Sequence, residues 1–169
     1  MKLSPMPMVE MGDEAWARLE RIAVDGGWRR LFVVTGPHVS RTPAFGRVRD
    51  VLSSGGRDVK VWDRVSPDPS LEQVGEACRE ARDFGAEMVV GLGGGSPLDS
   101  AKIVSASLGN PQGVETFLGI DKVPRPGAPL VAIPTTAGTG SEVTNISILT
   151  DTAAQMKVAV VSDHLVPRV

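Results

Sequence analysis

Short apolar segments alternate with helical patterns along most of this chain. Segments 31–34, 59–62, 88–92 and 129–134 are rich in aliphatic and β-branched residues. Such runs are typical of strands that are buried on both faces of a sheet. Helical patterns of about 10–15 residues separate them, which favours βαβ units. We therefore expect an α/β fold with a Rossmann-like open, mostly parallel sheet and helices on both faces.

Capping signals predict where the helices begin. Residues 13–24 place apolar side chains at helical spacing. Thr42 followed by Pro43 predicts an N-cap and the first residue of a second helix. Ser70 and Gln73 stand at the spacing of a capping box, which predicts a third helix. These helices fill the intervals between the predicted strands.

Three further segments have an extended pattern. Residues 7–10 form a short extended piece before the first helix. Segments 144–149 and 156–161 are separated by a turn-like sequence, so we expect a β-hairpin near the C-terminus.

Composition excludes several classes of protein. The 169 residues carry 18 Lys and Arg against 20 Asp and Glu, a net charge of −2, which argues against a nucleic-acid partner bound by bulk positive charge. The longest apolar runs fall far short of the ~20 residues of a membrane helix. Residues 1–7 lack the apolar core of a signal peptide. The single cysteine, Cys78, lies on a predicted apolar stripe and is expected in the core. We therefore expect no membrane partner and, by default, a cytoplasmic location.

A glycine-rich stretch joins the third strand to the next helix, in the sequence Gly91-Leu92-Gly93-Gly94-Gly95-Ser96-Pro97-Leu98-Asp99. Adjacent glycines let backbone N–H groups approach a phosphate, and a helix N-terminus adds partial positive charge. We expect Ser96 to be the N-cap, Pro97 the first helical residue and Asp99 a partner in the cap. A plain glycine turn that tightens the corner between strand and helix is the alternative. The stretch departs from G-x-G-x-x-G at Ser96, which favours a variant of the common dehydrogenase fingerprint.

A second stretch follows the fourth strand and reads Pro134-Thr135-Thr136-Ala137-Gly138-Thr139-Gly140-Ser141-Glu142-Val143-Thr144. Hydroxyl and backbone N–H groups suit ribose and phosphate oxygens. An ordinary Ser/Thr turn is the alternative for either half of it.

Taken together, GGGSPLDSAK and PTTAGTGSEVT resemble the iron-containing (group III) alcohol dehydrogenase family. The resemblance covers essentially the whole chain as that family's N-terminal, dinucleotide-binding domain, residues 1–169. It implies NAD or NADP as cofactor and hydride transfer between an alcohol or aldehyde and the nicotinamide. The family often dimerises, so a homodimer is also expected.

The resemblance also implies site residues. Gly93, Gly94, Gly95 and Ser96 would wrap the pyrophosphate, with Asp99 near the cleft on the same helix. Thr135, Thr136 and Thr139 would contact the phosphate and ribose side. Lys157 would reach the nicotinamide-side ribose, and Asp68 would lie near the adenosine.

One departure concerns the choice of cofactor. The family often has an aspartate after its first strand, where it holds the adenosine ribose hydroxyls. This chain has Gly36 there. Because a carboxylate would repel a 2′-phosphate and glycine does not, the departure predicts that NADP is tolerated or preferred. Ser40 and Arg41 are the expected phosphate partners.

A second departure concerns the metal. The family holds iron or zinc with one Asp and three His in a helical C-terminal domain, and no such ligand helix occurs in this sequence. His38 and His164 are the two histidines, and loop or surface roles are expected for both. We expect no catalytic residue and no metal ligand in this chain, and an isolated chain that is inactive.

Other functions remain open at this level. A maleylacetate reductase-like enzyme has similar architecture, but its glycine loop usually lacks the Pro-Leu-Asp-Ser pattern of residues 97–100. A non-catalytic dinucleotide-binding module and a remnant without a ligand are the alternatives outside catalysis.

Overall fold

The computed structural model describes residues 6–169. Residues 1–5, which belong to the N-terminal segment predicted to be no signal peptide, lie outside the described residues. Seven strands in two sheets and four α-helices lie within the described range. The strands are β1 (Arg30–Thr35), β2 (Asp58–Trp62), β3 (Met88–Gly93), β4 (Gly119–Ile120), β5 (Leu130–Pro134), β6 (Ile146–Asp151) and β7 (Met156–Val161). The helices are α1 (Glu14–Asp25), α2 (Pro43–Ser53), α3 (Leu71–Phe84) and α4 (Gly95–Gly109).

The larger sheet has the strand order β2-β1-β3-β5, and every neighbouring pair is parallel. Val34 of β1 is opposite Trp62 on one side and Gly91 on the other. The carboxyl ends of all four strands therefore meet at one edge, where open α/β sheets bind ligands. The parallel sheet predicted from the apolar segments is confirmed.

Helices cover both faces of this sheet. Phe32 and Val34 pack in a core with α3 and α4, whereas Leu31 and Val33 pack with α1 and α2. This alternation follows from the two-residue period of a strand, which sends successive side chains to opposite faces. Cys78 of α3 is buried in the first core, as its position on the apolar stripe predicts.

A smaller sheet, in the order β4-β7-β6, packs on the outside of α4. Strands β6 and β7 form the predicted antiparallel hairpin. Strand β4 pairs in parallel with β7 and was not predicted, because two residues are too few to show a pattern. Helix α4 thus lies between two sheets, and every residue from Leu98 to Ser107 is buried.

The capping predictions are confirmed in part. Thr42 accepts a hydrogen bond from the Phe45 N–H over 3.3 Å, as an N-cap does. Ser70 likewise accepts from the Gln73 N–H over 3.2 Å. The reciprocal half of that capping box is wrong, since the Gln73 amide instead contacts the 64–66 segment. Residues 7–10 belong to no strand.

Across residues 6–169, none of the helices has the length and apolar character needed to cross a bilayer.

Candidate functional site

A cleft of about 590 Å³ opens at the carboxyl-end edge of the larger sheet. The loops after β1, β2, β3 and β5 all contribute to it, so it combines segments that are far apart in sequence. Its lining residues are Gly36, Pro37, His38, Val39, Arg64, Val65, Ser66, Pro67, Gly94, Gly95, Ser96, Pro97 and Thr136. The position at the end of β1 and β3 agrees with the general location of ligand sites in such sheets.

The glycine stretch makes a tight turn from β3 into α4. Gly93 has φ +146°, a conformation that side chains disfavour, and a Cβ there would lie 2.7 Å from Pro97 Cγ. Helix α4 begins at Gly95 with Gly94 as its N-cap, so the predicted N-cap at Ser96 is wrong. Pro97 is the third helical residue and not the first. It is tolerated because N–H groups of the first turn have no partner within the helix.

Ser96 and Asp99 make contacts other than the predicted cap. The Ser96 hydroxyl oxygen accepts a long hydrogen bond from the Asp68 N–H, at 3.4 Å. The Asp99 carboxylate accepts from the Ile148 N–H over 3.0 Å, and its backbone carbonyl accepts from the Ser147 hydroxyl over 3.0 Å. Asp99 therefore connects α4 to β6 through two hydrogen bonds. The expectation that it completes the cap is wrong.

The two sequence motifs meet in space. The Thr135 N–H donates to the Gly93 carbonyl over 2.9 Å. A Cβ on Gly94 would lie 3.0 Å from Thr136 Oγ1, and one on Gly95 would lie 3.6 Å from the Thr139 Cβ. The glycines thus allow the hydroxyl-rich loop to approach the N-terminus of α4 closely. Of the three threonines predicted to contact cofactor, Thr136 lines the cleft.

A lysine lies buried directly behind the glycine turn. Lys102 is fully buried, and its Nζ donates to the Ile146 carbonyl over 2.6 Å and to Thr144 Oγ1 over 3.1 Å. Asp99 Oδ1 is 3.8 Å away. Burial lowers the pKa of Lys102 to about 8, against the opposing effect of the carboxylates of Asp99 and Glu142.

Lys102 stands in the quoted motif GGGSPLDSAK, but no role was predicted for it. The signal was a lysine in a run of otherwise small and apolar residues. Burial also raises the pKa of the neighbouring Asp99 carboxyl, while the hydrogen bond from Ile148 N–H opposes that shift. Asp99 and Lys102 both lie on α4, and each forms a hydrogen bond with the backbone of β6, so together they connect the helix to the β6–β7 hairpin.

Asp68 and Lys157 form an ion pair with each other on the surface. Asp68 lies in the β2–α3 loop with φ +54°, a conformation that aspartate tolerates better than most residues. The family resemblance implies positions near different ends of a dinucleotide for these two side chains, whereas in the structure they are paired with each other. The Thr150 N–H donates to the Pro69 carbonyl over 2.9 Å and holds the same loop against the hairpin.

The described residues fit a dinucleotide and do not fit a metal ion. The close approach of Gly94 to Thr136 leaves a cradle that a Cβ would fill, and the first turn of α4 offers N–H groups and a positive dipole end. In contrast, no group of three His, Cys, Asp or Glu side chains within residues 6–169 is placed to hold a metal. His38 lies on the cleft and His164 in a short 3-10 helix.

Comparison with known proteins gives a consistent result. The sequence model of the iron-containing alcohol dehydrogenase family matches residues 7–169. The chain is 38% identical over 136 residues to sulfoacetaldehyde reductase of Bilophila wadsworthia, covering 80% of this chain and 35% of that protein. It is 32% identical over 156 residues to the NAD-dependent methanol dehydrogenase of Bacillus methanolicus, covering 92% of this chain and 40% of that protein.

Solved structures agree with the sequence match. The crystal structure of 1,3-propanediol oxidoreductase superimposes with a TM-score of 0.91 at 29% identity, covering 99% of this chain and 44% of that one. The chain thus spans less than half the length of the relatives that it matches. Since the family match extends over nearly all of its residues, the chain belongs to the iron-containing alcohol dehydrogenase family.

Proposed function

We propose that this chain is the N-terminal dinucleotide-binding domain of a metal-dependent alcohol dehydrogenase, which moves hydride between a small alcohol or aldehyde and a nicotinamide dinucleotide. The observation that supports it is the glycine turn at the N-terminus of α4, opposed by Thr136 across the cleft. The names of two relatives, a methanol dehydrogenase and a sulfoacetaldehyde reductase, support the substrate class.

In this proposal the chain holds the cofactor mainly through its backbone. N–H groups of Gly94, Gly95 and Ser96 bind the pyrophosphate, and the dipole of α4 favours its negative charge. The side chains of Thr135, Thr136 and Thr139 bind phosphate or ribose oxygens, as the resemblance implies. Gly36 directly follows the neighbouring strand β1, where the adenosine ribose would bind in a doubly wound sheet.

The remaining chemistry comes from the cofactor and from outside this chain. Bound nicotinamide supplies the hydride donor or acceptor, and the family's iron or zinc supplies a Lewis acid for the substrate oxygen. This chain binds and orients the dinucleotide. We further propose that the catalytic groups and metal ligands belong to a second domain, that the enzyme is a homodimer, and that it works in the cytoplasm where the nicotinamide pools lie.

Titration of the purified chain with NADH and NADPH, followed by nicotinamide fluorescence, tests the proposal. We expect saturable binding that ADP-ribose competes away. Gly94→Val should abolish it, because its branched side chain would collide with Thr136. Gly75→Ala is the control, since a Cβ there would have only the Arg79 guanidinium within 4 Å, at an ordinary contact distance of 3.7 Å. Failure of both nucleotides to bind would refute the proposal. Metal-dependent alcohol oxidation by these 169 residues alone would refute the domain assignment.

A further inference from the structure

A carboxylate at the end of β2, that of Asp63, lies next to residues that line the cleft. Strand β2 pairs with β1 in the register Val34 with Trp62, so Asp63 lies one strand away from the start of the Gly36 loop. Asp63 is exposed and directly precedes Arg64 and Val65, which line the cleft. It is therefore a charged group at the rim of the cleft, on the β1–β2 side of the glycine turn.

Ser40 links this carboxylate to the loop after β1. The Ser40 hydroxyl lies 3.0 Å from Asp63 Oδ2 and 3.2 Å from the Pro37 carbonyl oxygen. Both of those atoms are acceptors, and a serine hydroxyl has one hydrogen to donate. The donor that the sequence assigned to a 2′-phosphate is thus already used within the protein. Ser40 itself is held by its N–H, which donates to the Gly36 carbonyl over 3.1 Å.

The space at Gly36 is also smaller than the sequence implies. A Cβ at that position would lie 3.3 Å from the Val65 carbonyl oxygen, because the loop after β2 closes over the end of β1. The Val65 N–H donates to the Thr35 carbonyl over 3.2 Å and fixes that approach. The glycine is therefore explained by backbone packing, and its presence is no longer evidence of room kept for a phosphate.

The neighbouring cations only partly offset Asp63. Arg64 makes ion pairs with Glu76 and Glu80 on α3, which occupy its guanidinium. Arg41 is exposed in the 3-10 helix next to Ser40 and is the remaining cation of this loop. A 2′-phosphate would therefore meet one carboxylate and one exposed arginine, whereas a ribose 2′-hydroxyl would donate a hydrogen bond to the carboxylate.

We infer that Asp63, held by Ser40, selects NAD over NADP by occupying the space that a 2′-phosphate on the adenosine ribose would need. The inference rests on the proposed function and replaces the NADP preference expected from Gly36. Two unit charges about 4 Å apart in water interact by about 1 kcal/mol, which corresponds to about a fivefold change in affinity. Because a phosphate carries more than one charge, NADH should bind at least about fivefold tighter than NADPH.

The test is the ratio of NADPH and NADH dissociation constants, measured on the full chain by fluorescence at low salt. Asp63→Asn should bring the ratio close to one, chiefly by improving NADPH binding. Asp58→Asn is the matched control, because it removes the same charge at the opposite end of β2 and should leave the ratio unchanged. Ser40→Ala, which frees the carboxylate, should change the ratio in the same direction as Asp63→Asn but less. Added salt should reduce the preference of the unmodified chain.

The possible outcomes distinguish the NAD preference, the role of Asp63 and dinucleotide binding itself. Equal or tighter binding of NADPH by the unmodified chain would overturn the inference while leaving dinucleotide binding intact. A ratio unchanged in both Asp63→Asn and Ser40→Ala would overturn the role of Asp63. Failure of both nucleotides to bind would instead refute the proposed function. Because each ratio is measured within one protein sample, an effect on folding yield does not alter it.

Discussion

Lys102 Nζ donates a hydrogen bond of 2.6 Å to the Ile146 carbonyl oxygen and so joins helix α4 to the first residue of strand β6. The ammonium is fully buried, so water cannot replace this partner. The contact joins the helix that begins at the glycine turn to the hairpin that carries Lys157. The geometry of the candidate site therefore depends on a side chain that does not reach the cleft.

Lys102→Met should destabilise the chain strongly. The substitution preserves most of the side-chain volume but leaves the Ile146 carbonyl oxygen and Thr144 Oγ1 without their donor, and a buried polar group left without its hydrogen bond costs about 1–3 kcal/mol. Urea denaturation at pH 7 measures the change. Lys60→Met, which breaks a partly exposed pair with Glu80, is the control and should cost less than about 1 kcal/mol. Similar small losses in both variants would show that Lys102 is dispensable.

The stability of the unmodified chain should depend on pH through Lys102. Its pKa is lowered from 10.5 to about 8 in the folded chain, so between these values the unfolded chain binds more protons. The free energy of unfolding then rises with pH across this window, by up to about 1.4 kcal/mol per pH unit, and the gain is lost as pH falls through 8. The stability difference between the chain and Lys102→Met should therefore widen from pH 8 to pH 10. A constant difference would contradict the lowered pKa.

Gly91→Ala should weaken the packing of α4 on β3. A Cβ at Gly91 would lie 2.8 Å from the Ala101 Cβ and 3.2 Å from Leu98 Cδ2, so the helix must move away from the strand. Overpacking of this kind costs about 1–3 kcal/mol. Gly46→Ala in α2 has open space around the new Cβ and should stabilise the chain by about 0.5–1 kcal/mol. Thermal unfolding of both variants gives the comparison, and equal melting temperatures would rule out the predicted clash.

The surface pair of Asp68 and Lys157 should matter for binding more than for stability. Both side chains are at least half exposed, and such pairs contribute less than about 1 kcal/mol to folding. Asp68→Asn and Lys157→Met should each unfold nearly as the unmodified chain does but bind NADH more weakly. Lys122→Met, in the exposed segment after β4, is the control. If NADH titrations of both variants match this control, the two residues do not belong to the cofactor site.

Cys78 should be unreactive while the chain is folded. Burial raises the pKa of its thiol to about 11, whereas the hydrogen bond from Ser107 opposes that shift. At pH 8 very little thiolate is present, and the sulfur is inaccessible to reagents. Ellman's reagent should therefore react slowly with the native chain and rapidly in guanidinium chloride. Rapid reaction of the native chain would indicate that α3 opens frequently.

Sequence patterns predicted the larger sheet well because its strands are buried on both faces, which leaves continuous apolar segments. The same patterns misplaced the start of α4. Glycine serves as an N-cap and proline is accepted throughout a first turn, so neither Ser96 nor Pro97 had to mark the boundary. The contacts of Asp99 and Lys102 were harder still to predict from sequence. Their partners lie on β6, more than forty residues away, and helical periodicity carries no information about a helix that is buried on all sides.

The burial of α4 on all sides affects how the chain tolerates mutation. A helix with a solvent face can accept many substitutions there, but residues 98–107 have none. Ala101 packs against Gly91 of β3, and the backbone of Ser105 and Ala106 lies against Gly127, so larger side chains have no space at these contacts. Sequence variation compatible with folding should therefore concentrate in α1, α2 and the exposed loops. A mutational scan would show α4 as the least variable helix of the domain, whether or not the cofactor is required for survival.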